Sequence, residues 1–73
     1  MDKQKLLYKA LISRFEAQRD AALATIQVYL DDSVGIGEHP QIVDEMAKQV
    51  ESLAAANDAL KALFEEFNER EEK

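Results

Sequence analysis

Both glycines, the only proline and the only histidine of this 73-residue chain fall within seven positions, Val34-Gly35-Ile36-Gly37-Glu38-His39-Pro40. Helix-breaking chemistry is confined to that stretch, so each flank reads as one long helix. Gly35 suits the left-handed residue just past a helix end, where a Cβ would clash, and Ile36 can then fold back onto Leu30. Gly37 supplies a second free joint. Pro40 suits the first position of a new helix, where its missing N–H is no loss, which makes His39 the N-cap by position. Glu38, Asp44 and Glu45 place negative charge near that helix start, as its dipole favours. The pattern predicts a single all-α domain over residues 1–73: helix one at about 3–32, a turn at 33–39, helix two at about 40–70 and a frayed acidic tail at 71–73.

The apolar periodicity agrees. In the first helix Tyr8, Ile12, Phe15, Ala22, Ile26 and Tyr29 step by three and four, and Leu11, Leu23 and Leu30 widen the stripe on one flank. Arg19 falls in the same seam, where its stem can pack while its guanidinium reaches an acid. The second helix carries Val43, Met46, Val50, Leu53, Asn57, Leu60, Phe64 and Phe67, a nearly unbroken a/d heptad seam with Asn57 at an a position. A lone asparagine there specifies register or partner number. Ile42, Ala56 and Leu63 add a third column, and Ala54, Ala55 and Ala56 leave room for another helix to approach closely.

Charge reinforces an antiparallel closure. Residues 1–19 carry a net +3, residues 20–57 a net −6 and residues 58–73 a net −3. Folding at the turn lays the basic start of helix one beside the acidic end of helix two, although each exposed pair contributes only ~0–1 kcal/mol. Residue numbers summing to about 72 then face each other, which sets Phe15 near Asn57, Ile12 near Leu60 and Tyr8 near Phe64.

Two helices of this length share one seam, and ordering the backbone costs on the order of 1–2 kcal/mol per residue. The rest of a wide stripe stays wet, which marks an interface. The expectation is an antiparallel two-helix hairpin that self-associates into a four-helix bundle, as a homodimer first and a tetramer next, or that docks on another protein. The interface residues expected are those of the two seams: Tyr8, Ile12, Phe15 and Ile26 with Val43, Met46, Val50, Leu53, Asn57, Leu60, Phe64 and Phe67.

Other functions find little support. The net charge of −6 argues against nucleic-acid binding, which needs a basic face. There is no cysteine for a disulfide or a thiolate metal site, and no apolar run of membrane-spanning length. One histidine per chain, with only Ser33 as a close hydroxyl, makes no catalytic set. Gly35-Ile36-Gly37 lacks the lysine and strand of a phosphate loop. The expectations are no enzyme, no cofactor and a cytoplasmic location. The alternative is a metal- or small-ligand-binding module at the acidic turn, where Asp31, Asp32, Glu38 and His39 could gather oxygen ligands and an imidazole; the spacing matches no EF-hand.

The stretch Val34-Gly35-Ile36-Gly37-Glu38-His39-Pro40-Gln41-Ile42-Val43, between helix-forming flanks, resembles a segment in small uncharacterised helical proteins of tailed phages of marine bacteria. The resemblance spans about residues 28–64. It implies a phage or environmental origin and expression in a bacterial cytoplasm, and it carries no activity and no site residues.

Overall fold

An aspartate starts the fold. In the computed structural model, which describes residues 2–31 and 41–68, the Asp2 carboxylate accepts the Gln4 N–H at 2.9 Å and its carbonyl accepts the Leu6 N–H at 3.1 Å. That is an N-cap, and such a cap stabilises a helix by typically ~1 kcal/mol. Helix α1 follows over Lys3–Asp31. Helix α2 spans Gln41–Leu63 and runs on into a π-helical turn, Phe64–Asn68. The described residues are all helical apart from Asp2, and the two helices are in contact. The turn reading, with Asp32, Gly35, Gly37, Glu38, His39 and Pro40, and the frayed tail at 71–73 lie outside the described residues.

Contacts run down one helix as they run up the other. Tyr8 meets Phe67 edge to face with ring centroids 6.4 Å apart, Gln18 bonds to Ser52, and Tyr29 bonds to Glu45. The pair is therefore antiparallel. The molecule is a rod of 54 × 20 × 15 Å with a radius of gyration of 16.5 Å. A compact chain of this length would have a radius of gyration of about 11 Å.

Only Ala22, Ala56 and Leu60 are buried among the described residues. Around them, Tyr8, Ile12, Phe15, Arg19, Ile26 and Tyr29 of α1 are half-buried, as are Ile42, Met46, Gln49, Leu53 and Leu63 of α2. Both sets step by three and four, so one stripe of each helix meets the other. The α2 stripe differs from the heptad seam. Met46, Leu53 and Leu60 belong to both, but Val43, Val50, Asn57 and Phe64 are exposed, and the column beside them faces α1 instead. The helix is turned by about 50° relative to the a/d phase, given about 100° per residue. The physical reason is size. Ala22 and Ala56 in the seam let the backbones approach, as Asn57 in the place of Ala56 would not. Tyr8 accordingly pairs with Phe67 rather than Phe64, and Asn57 does not lie against Phe15 in a buried layer of the hairpin. Of the alanine run only Ala56 is in the seam, while Ala54 and Ala55 are exposed.

Candidate interaction surface

Rotation by one residue from a seam column takes a side chain about 100° round the helix, onto a flank. On α2 that flank is Val43, Val50, Asn57 and Phe64; on α1 it is Lys9, Glu16, Leu23 and Leu30. In an antiparallel pair the flanks of the same rotational sense lie on the same side of the seam. The two sets thus form one side of the hairpin. Its large apolar members are open to solvent: Leu23 is 45% exposed, Leu30 60%, Val43 63%, Val50 51% and Phe64 46%.

The other side is polar and is stitched by side chains. Gln18 donates from Nε2 to the Ser52 carbonyl at 2.9 Å, a part-buried bond that fixes the register near mid-hairpin. The Tyr29 hydroxyl donates to Glu45 Oε1 at 3.2 Å. That hydrogen bond holds the Tyr29 phenol above its ordinary pKa of 10.0, with desolvation and the carboxylate's negative charge acting in the same direction. Thr25 caps nothing and returns its hydroxyl to the Ala21 carbonyl at 2.8 Å. Leu11 lies on this side, not with Leu23 and Leu30. With Leu7, Tyr8, Leu63 and Phe67 it lines an open groove of about 520 Å³ at the end of the rod where α1 begins.

Arg19 behaves as its position in the stripe suggests. It is half-buried, and its Nε lies 3.0 Å from the Asp20 carboxylate, an exposed pair worth at most ~1 kcal/mol. Of the metal candidates at the turn, Asp31 is the exposed last residue of α1, and Asp32, Glu38 and His39 lie outside the described residues. Among the described residues no three His, Cys, Asp or Glu side chains are placed to hold a metal ion. No helix is long and apolar enough to cross a membrane among those residues.

The expected interface residues therefore divide. Tyr8, Ile12, Phe15, Ile26, Met46, Leu53 and Leu60 belong to the seam inside the hairpin, as does Phe67 through its ring contact with Tyr8. Val43, Val50, Asn57 and Phe64 face out. Gln49 joins the seam although periodicity of apolar residues does not mark it; its spacing of seven from Ile42 and Ala56 is the only signal. Comparison with known protein families, curated proteins and solved structures finds no match for this chain.

Proposed function

We propose that this chain is a non-enzymatic helical-hairpin module that acts by binding protein, and that its first partner is a second copy closing a four-helix bundle. The observation that supports this is the imbalance between core and surface. Among the described residues three are buried, while α1 and α2 expose Leu23, Leu30, Val43, Val50 and Phe64 on one side. Burying a large aliphatic or aromatic side chain contributes about 1.5–3 kcal/mol, and an isolated hairpin forgoes most of that. Two hairpins face to face regain it, and a cytoplasmic role in a bacterial cell accords with the resemblance of the turn segment. A heterologous protein is the other occupant that the same surface would accept.

Folding coupled to association depends on concentration through mass action. Circular-dichroism melting over a hundredfold range of chain concentration tests the reading. The melting temperature is expected to rise with concentration. A cooperative transition at one temperature throughout would overturn it, because the hairpin would then fold alone.

A further inference from the structure

Resting on that reading, we infer that the second copy docks on the side carrying Leu23, Leu30, Val43, Val50 and Phe64, about a two-fold axis that runs along the rod. The area asks for a partner of this size. The chain exposes 5863 Å². A compact monomer of 8.3 kDa exposes about 4,600 Å², an excess of about 1,300 Å². A standard interface covers about 800 Å² per partner, so a second copy on one side accounts for most of it.

Charge and polarity choose the axis. A two-fold along the rod sets α1 on α2 of the partner subunit, antiparallel, and keeps every residue at its own height. The register between copies is then the one inside the hairpin, which the Tyr8–Phe67, Gln18–Ser52 and Tyr29–Glu45 contacts define. Within about one helical turn of 3.6 residues, Leu30 is level with Val43 and Leu23 with Val50. Glu16 is level with Asn57, and Lys9 with Phe64. Apolar residues thus meet apolar residues over half the rod. The Glu16 carboxylate meets the Asn57 amide, a donor for it, and the Lys9 stem can lie on the Phe64 ring. A two-fold across the rod would lay each helix on its own kind. It would set Glu16 against Leu23 of the partner subunit and Val50 against Asn57 of the partner subunit, leaving buried polar groups without partners. It would also bring the acidic α2 of one copy onto the acidic α2 of the other.

The opposite side is the less favoured surface. Its apolar groove is confined to one end, and the Gln18–Ser52 and Tyr29–Glu45 bonds occupy the rest.

The chain has no cysteine, so single cysteines report cleanly. A disulfide needs Cα atoms within about 7 Å. Full-length Leu23→Cys and Val50→Cys chains are mixed, refolded together and oxidised, with native mass read beforehand by light scattering. The expected result is a new band at twice the chain mass in the mixture, absent from Val50→Cys alone and from Ala59→Cys, which lies on the polar side. A dimer by light scattering that cross-links through Ala59→Cys, or through Val50→Cys alone, overturns the face or the axis while self-association stands. A monomer by light scattering ends both this inference and the reading it rests on. Should either variant lose helicity, Leu30→Cys mixed with Val43→Cys tests the same arrangement one heptad along, and failure of that pair to link in a proven dimer also overturns it.

Discussion

Tyr29 shows how one side chain of the stripe also ties the two helices by a polar bond. Its phenol serves the hairpin only while protonated, because the bond to Glu45 needs the hydroxyl hydrogen. The raised pKa follows, and with it a sign. A group whose folded pKa lies above its unfolded value of 10.0 contributes stability that is present below pH 10.0 and lost as pH rises through the folded value. The chain has two tyrosines, so Tyr8→Phe isolates the signal. Phenolate absorbance in that background is expected to titrate above pH 10.0, and Glu45→Gln is expected to bring the midpoint down towards 10.0. Equal midpoints with and without the carboxylate would contradict the contact. Gln18 acts by the same logic in neutral form: its amide reaches a backbone carbonyl across the seam, so any registry slip breaks the bond.

At the scale of the helix the question is phase. The seam chosen by the structure has Ala56 fully buried and Asn57 exposed beside it. Ala56→Leu would force a larger side chain into a close helix contact, and overpacking of that kind typically costs 1–3 kcal/mol. Urea denaturation is expected to show that loss for Ala56→Leu and none for Ala55→Leu, whose position is exposed. Tolerance of Ala56→Leu would mean that the a/d phase faces α1 after all. This phase is what the residues leave ambiguous. The two-helix architecture is legible because every strong breaker falls between Val34 and Pro40, and because Tyr8, Ile12, Phe15 and Ile26 keep a helical step. The rotation of α2 is not legible from apolar periodicity. Met46, Leu53 and Leu60 serve both phases, and the deciding residues, Ala22, Ala56 and Gln49, are small or polar. Close approach selects for small side chains, and hydropathy does not register them. Likewise Leu11 parts from Leu23 and Leu30 once the phase is known. Asp2, by contrast, is a readable cap: an acid directly before the first helical residue.

As a whole the described part of the molecule is a two-helix layer, with Leu23, Leu30, Val43, Val50 and Phe64 along one side and, on the other, polar bonds beside an apolar groove at one end. The shared column closes the hairpin, and the former a column, with Leu23 and Leu30, is offered outward. With three buried residues among those described, the hairpin sets little buried apolar area against the entropy of ordering two long helices. The uneven charge along the chain acts on the same scale. It favours arrangements that alternate α1 and α2 around a bundle over those that stack α2 on α2, and it does so weakly, as exposed charges in salt do. The most direct measurement of the central claim is the mass of the folded species by light scattering after size exclusion, across a dilution series. The account expects twice the chain mass, 8.3 kDa, to persist until helicity is lost on dilution. A folded species at the mass of one chain would contradict it.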